Sequence, residues 1–295
     1  MQQLTREPGK LILGKDVSAE IDRRTVADRA QLDEVGCVPS LAVVHLGEHD
    51  DAASYRRVIL QRAKRVGVSV FAVGLAADAT RDDLIDTVMQ LNSDPSVHAI
   101  LVQNPLSPAF RQEMGVTLSN DKDVEGLNPE NVGKLMFDQP VVTPCTPGAI
   151  VAMIESRVPS LSGKRAVIIN RSATIGRPLS QLLLNRRATV TVCSTATIDL
   201  PGEARRAEIL VVAIGKPRAV GLEYVGDGAV VIDVGINPDP SGQGICGDVD
   251  TEAVLDRVSA ITPVPGGVGP VTTAVLLANV VYLARAQVVT GVPAR

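Results

Sequence analysis

The chain has 295 residues, 45% of them hydrophobic and 21% charged, a balance that excludes a disordered polypeptide and leaves room for two domains with real cores. A net charge of -4 with no long basic run argues against nucleic acid as a partner, and aromatic residues at 2%, with no Trp, remove the usual stacking platform. Four widely spaced cysteines without a Cys-x-x-Cys pair, and a Met1-Gln2-Gln3-Leu4 start without an apolar signal core, predict reduced thiols in a cytoplasmic protein. No apolar stretch reads as long enough to span a membrane, and with three histidines a histidine-based metal site is not expected.

Residues 40–46 form an apolar run read as a buried strand, followed by an amphipathic helix over 52–66, a strand over 68–73, a helix over 81–91 and a strand over 99–103. This βαβαβ alternation predicts a parallel sheet. The spacing His45-x-x-x-His49 would suit a helix, but Gly47 and the preceding apolar run put the pair at a strand end. Residues 105–131 read as loop-rich, and loops at sheet ends carry function more often than strands do. A helix over 146–155 leads into a second α/β unit, with strand 165–169, helix 176–185 and strands 189–193, 209–213 and 230–234. A closing helix over 271–287 is long enough to cross back onto the first unit.

Two segments carry chemistry. Val167-Ile168-Ile169-Asn170-Arg171-Ser172-Ala173-Thr174-Ile175-Gly176-Arg177-Pro178 reads as a strand, a polar turn and a helix start, the arrangement that cradles a pyrophosphate. The usual G-x-G-x-x-G is missing. Arg171 at this turn has an electrostatic reason to select NADP over NAD, because a 2'-phosphate needs a cation. Ile261-Thr262-Pro263-Val264-Pro265-Gly266-Gly267-Val268-Gly269-Pro270 combines fixed φ angles with bare backbone ahead of a helix, which suits a flat or anionic small molecule. A tight surface connection is the plainer alternative.

The second of these segments closely resembles the signature of the methylenetetrahydrofolate dehydrogenase/cyclohydrolase (bifunctional FolD-type) family. The resemblance extends to Leu101-Val102-Gln103-Asn104-Pro105-Leu106-Ser107-Pro108, to Lys122-Asp123-Val124-Glu125-Gly126 through Leu135, and to Pro144-Cys145-Thr146-Pro147. It includes the 167–178 turn, with Asn170 where the family has Gly (Asn tolerates a positive φ better than most residues), Ala213-Ile214-Gly215-Lys216-Pro217 and Ile232-Asp233-Val234-Gly235-Ile236-Asn237. Matching blocks run from about residue 42 to 279.

The resemblance implies two α/β domains with a cleft between them. One is a discontinuous folate-binding/catalytic domain over 1–147 plus 271–295, the other a Rossmann-like NAD(P)-binding domain over 148–270. The implied activity is NADP-dependent oxidation of 5,10-methylenetetrahydrofolate, with NAD as an alternative cofactor. A pterin needs an aromatic face, a carboxylate or amide, and rigid backbone. Tyr55, Gln103, Glu125 (Asp in the family), Leu101 and the Pro265, Gly266, Gly267, Val268, Gly269 run take those places. Asn170, Arg171, Ser172, Ile175, Gly176, Pro178, Thr195, Ala213, Gly215, Lys216, Gly235, Ile236 and Thr272 would hold the cofactor. Family members resemble one another in forming homodimers through the nucleotide domain, and the same is expected here.

One departure matters. The family has a lysine four residues after the tyrosine, one helical turn on and facing the same side, which with Gln handles water and proton in cyclohydrolysis. Here that position is Ile59, and the serine expected three residues before Tyr55 is Ala52. Arg62 is a further turn away and too basic to shuttle protons, and Lys64 should face the opposite side. The hydrolytic half-reaction is therefore expected to be weak or absent. Two other readings stand beside this one: a folate- or nucleotide-binding paralogue without turnover, and a fully bifunctional enzyme in which Arg62 or a water replaces the lysine.

Overall fold

The computed structural model describes residues 8–103, 106, 108–242 and 244–288. The Met1-to-Glu7 stretch and the Asn104, Pro105 and Ser107 positions quoted above lie outside them. The helices are α1 (Gly14–Asp33), α2 (Asp50–Val66), α3 (Arg81–Ser93), α4 (Pro108–Thr117), α5 (Pro129–Leu135), α6 (Cys145–Glu155), α7 (Gly176–Asn185), α8 (Leu200–Arg205), α9 (Thr251–Val254) and α10 (Val268–Val288). The strands are β1 (Ser40–Leu46), β2 (Ser69–Leu75), β3 (Ala99–Val102), β4 (Arg165–Ile169), β5 (Thr189–Cys193), β6 (Ile209–Val212), β7 (Val230–Asp233), β8 (Asn237–Pro238), β9 (Ile245–Cys246) and β10 (Ala260–Ile261). Contacts divide the chain into two compact units, one of residues 20–145 with 273–295 and one of residues 1–19 with 146–272.

In the first unit β1 lies between β2 and β3, all parallel. Alternation along β1 sends Leu41 and Val43 to one face, where they pack with Ile59, Ala63, Leu101 and Leu277, and Ala42 and Val44 to the other, against Leu84, Val88 and Ile100. A sheet buried on both faces reads as the continuous apolar run seen in the sequence. Helix α2 buries Ala52, Ile59, Ala63 and Val66 on one stripe and stops at Gly67, whose left-handed backbone lets its N–H close onto the Ala63 carbonyl.

The second unit is a five-stranded parallel sheet in the order β10-β7-β6-β4-β5. The chain winds from β4 to β5 on one side and returns to β6 on the other, so the strand order reverses between β4 and β6. In doubly wound sheets this crevice, at the carboxyl ends of the strands, is where ligands bind.

Several expectations need correction. Residues 8–19 belong with the second unit, not with the rest of 1–147, because Ile12 N–H bonds the Ile261 carbonyl and Gly14 N–H bonds that of Gly266, both at 2.8 Å. The segment read as loop-rich contains α4, and α1 was not foreseen. The 261–270 run is less of a loop than expected: Ile261 is in β10 and Val268, Gly269 and Pro270 open α10, leaving 262–267 as the connection. Finally, α10 is long and apolar enough by composition to cross a membrane, contrary to the sequence reading. Its Leu276, Leu277, Val280, Val281, Leu283 and Ala284 are buried in the first unit's core, which accounts for that composition.

Candidate active site

The strand ends of the second unit gather most of the expected cofactor residues. Asn170 follows β4, Thr195 lies just beyond β5, Ala213 to Lys216 follow β6, and Gly235 and Ile236 follow β7. Asn170 does not adopt a positive φ, so the backbone argument for tolerating Asn there is wrong; its side chain does the work instead. Its Oδ1 accepts from Ser172 N–H (2.9 Å), Ser172 Oγ (2.8 Å) and Gly176 N–H (2.9 Å), the last capping the start of α7. Its Nδ2 donates to the Ala213 carbonyl at 2.6 Å, tying the ends of β4 and β6 together across the point where the strand order reverses. Gly176 is required by close approach, since a Cβ there would collide with the Asn170 carbonyl. Arg171 is exposed on this turn, Ile175 and Ser172 are half-buried, and Pro178 is buried in the first turn of α7.

Two buried acids brace these loops: Asp233, inside the 232–237 block, and Asp248, outside every motif quoted above. The Asp248 carboxylate, 0% exposed, accepts N–H groups from Ile214 (2.6 Å), Gly215 (3.1 Å) and Lys216 (2.8 Å), and the Asn237 amide at 2.9 Å. Asp233 accepts N–H groups from Gly235 (2.9 Å), Asp248 (3.0 Å) and Val249 (2.9 Å). Burial, opposed by these amides, pushes the Asp233 carboxyl up to about 6, and nearby Asp248 adds to the shift. Gly235 has no room for a Cβ because the Asp248 side chain lies against it. Of the glycine-rich run, Pro265 and Gly266 are exposed while Gly267 and Val268 are buried, and Thr272 bonds back to the Val268 carbonyl at 3.3 Å.

In the first unit, Tyr55, Glu125, Cys145 and Thr273 form one cluster. Burial first, then the charges of Cys145 and Glu125, push the Tyr55 phenol well above its usual range, against a hydrogen bond from the Thr273 hydroxyl. Glu125 is half-buried on a turn shaped by Asp123, whose carboxylate accepts from the N–H groups of Glu125 (3.1 Å), Gly126 (3.2 Å) and Asn128 (2.6 Å). Cys145 is a buried free thiol donating to the Val124 carbonyl at 3.2 Å; desolvation, with Glu125 and Asp123 nearby, raises its pKa well above normal. Gln103 is buried, its Nε2 donating to the Ala52 carbonyl (2.8 Å) and its Oε1 accepting from Arg56 (3.0 Å). Leu101, two residues before it, is a core residue of β3.

Residues 12–125 match the family model described as tetrahydrofolate dehydrogenase/cyclohydrolase, catalytic domain, and residues 144–288 the corresponding NAD(P)-binding domain. The chain belongs to this family. It is 44% identical over 274 residues to the bifunctional protein FolD of Methanoculleus marisnigri, covering 92% of this chain and 95% of that one. Among solved structures, the FolD methylenetetrahydrofolate dehydrogenase/cyclohydrolase of Campylobacter jejuni superposes with a TM-score of 0.89 at 37% identity, covering 94% of this chain and 99% of that one. The Trypanosoma brucei enzyme, solved with NADP cofactor and an inhibitor, gives 0.88 at 35% identity over 94% and 98%.

The second unit therefore carries the family's NAD(P)-binding domain, and its amide-lined turn at a helix start fits a dinucleotide. Ile59, where the resemblance leads one to expect a lysine, is 0% exposed and packed among Leu41, Val43, Ala63 and Leu101. Ala52, at 9% exposure, offers Gln103 only its carbonyl. Arg62 is committed elsewhere, with Nε and Nη2 each 2.9 Å from the Asp22 carboxylate. The residue that does meet Gln103 is Arg56, which the sequence reading passed over.

Proposed function

We propose that the protein oxidises 5,10-methylenetetrahydrofolate to the 5,10-methenyl form with NADP, and that hydrolysis of the methenyl form to 10-formyltetrahydrofolate is weakened or lost. The observation that carries this reading is the burial of Ile59 in a hydrocarbon cluster, where the family places an ammonium group. General acid–base help is worth roughly two to four orders of magnitude; Ile59 has no proton to exchange, and Arg62 is held by two hydrogen bonds to Asp22 and carries a guanidinium, too basic a group for a proton shuttle.

Dehydrogenation asks less of the protein. NADP, when bound, supplies the electron acceptor. Tyr55, Gln103 and Glu125 offer a ring face, a carboxamide and a carboxylate to a pterin. The Asn170-to-Gly176 turn and Thr195 serve the phosphates, Arg171 the 2'-phosphate, and Ala213, Gly215, Lys216, Gly235, Ile236 and Thr272 the rest of the cofactor; NAD is accepted less well. Cytoplasmic location and a homodimer belong to the same reading. Edge strand β5, with Val192 and the following Ile198 exposed, is the candidate pairing face, testable by light scattering.

The test is to follow both half-reactions on purified protein. NADPH formation from methylenetetrahydrofolate, with methenyltetrahydrofolate accumulating, supports the proposal. Tight folate binding without NADPH formation would favour a binding paralogue and reject it.

A further inference from the structure

Arg56 follows Tyr55 directly in α2 and is not on the face where the missing lysine would be sought. Its side chain is nevertheless only 12% exposed, with Nη1 3.0 Å from Gln103 Oε1 and Nη2 2.6 Å from Glu48 Oε2. At its other end, Gln103 donates Nε2–H to the Ala52 carbonyl at 2.8 Å. A guanidinium can only donate and a backbone carbonyl can only accept, so this pair of contacts fixes which end of the carboxamide is oxygen. Flipping the amide would set donor against donor and acceptor against acceptor. Gln103 is held as an oriented dipole, with one N–H and one lone pair left for a ligand.

We infer that Arg56 is the positioning residue for Gln103, the cation that stands on its carboxamide in place of the family's lysine. The inference rests on the reading that Gln103 contacts the folate. The substitution changes the chemistry of the site. A lysine can give up its proton and relay it; a guanidinium stays charged at every working pH, so it orients Gln103 without titrating. Glu48, 72% exposed, holds the other edge of the guanidinium, with His45 Nε2 4.0 Å from its second oxygen. A cation on the carboxamide is kept while proton transfer is not, which suits hydride removal better than hydrolysis.

The test uses the intact protein and its Arg56→Met and Arg56→Lys variants, checked for folding by circular dichroism. Turnover with NADP and methylenetetrahydrofolate and calorimetric binding of tetrahydrofolate are measured from pH 6.5 to 9.5. Arg56→Met should lose about tenfold or more in kcat and bind tetrahydrofolate several-fold more weakly, with the Kd for NADP unchanged. Arg56→Lys should recover most of both across this range, because its amine restores the cation and, beside the Glu48 carboxylate, keeps its proton below about pH 10. That rescue by charge is something a merely structural arginine would not give, and Arg56→Gln takes the place of the methionine variant if that one does not fold. An uncharged variant within twofold of wild type in kcat and tetrahydrofolate binding, or a folded Arg56→Lys no better than the uncharged variant, overturns the inference. A wild type that binds no tetrahydrofolate overturns it as well. A wild type that makes no NADPH yet loses tetrahydrofolate binding on Arg56→Met, regained with Arg56→Lys, sinks the dehydrogenase reading alone.

Discussion

Asp248→Asn isolates the contribution of a buried acid to the cofactor loops. Oδ2 accepts from Ile214 and Gly215 N–H, and Oδ1 from Lys216 N–H and the Asn237 amide. Asparagine keeps the shape but replaces one oxygen by an NH2 group, so whichever way it turns, two donors face a third. A hydrogen bond to a charged group is worth about 1.5–3 kcal/mol, which puts the loss of two at about 3–6 kcal/mol. The Ile214–Lys216 backbone is only part-buried and water can recover some of this, so the lower end, about 3 kcal/mol, is expected. For a unit of this size that lowers Tm by roughly 6–12 °C. The loop whose amides are released carries Gly215 and Lys216, so the NADP Kd should rise about tenfold or more. Differential scanning calorimetry and a fluorescence titration with NADP read both. A variant that melts within about 2 °C of wild type and binds NADP as tightly would refute the idea that Asp248 shapes this loop.

The Asp233 carboxyl is raised to about 6, so its protonation favours the folded state: the contribution is full below the unfolded aspartate value, near 4, and is lost as pH rises through about 6. It amounts to about 3 kcal/mol, visible as an excess of pH-dependent unfolding free energy over Asp233→Asn between pH 4 and 6.5; equal slopes would contradict it. Arg171→Ala should weaken NADP on the order of tenfold while leaving NAD nearly untouched, and an equal loss for both would remove Arg171 from the 2'-phosphate. With its phenol held well above the usual range, Tyr55 should remain un-ionised in a spectrophotometric titration through pH 10.5, and Tyr55→Phe should leave the early part of that titration unchanged.

What could be read from the sequence was set by local pattern. β4, α7 and β5 fall on the expected residues because an apolar β-branched run ends at a polar turn and then repeats. Helix α1 was missed because its buried stripe is Ser18, Thr25 and Leu32, and two of those three are hydroxyl residues bonded back to the carbonyls of Lys15 and Ile21. A search for hydrophobic periodicity passes over such a face. Tyr55, Gln103 and Glu125 stood out as candidates only through motifs that resemble the family's, not through any local physical pattern. Arg56 was not, since counting helix faces ignores how far a guanidinium reaches, and its sign was only an arginine beside a tyrosine that had lost its lysine. Asp248 gives no local signal at all: it meets residues 214–216 only after the sheet has formed.

Replacing Ile59 by lysine and Ala52 by serine in one chain tests the central claim most directly, with hydrolysis of methenyltetrahydrofolate followed above its uncatalysed rate. The hydroxyl should give the new amine a partner in what is now a hydrocarbon wall, and the account predicts a hundredfold or larger gain in hydrolysis, on the order of a restored acid–base group, with dehydrogenation changed far less. A wild-type protein that already hydrolyses the methenyl form as fast as it makes it, with no gain in the folded double variant, would contradict the account.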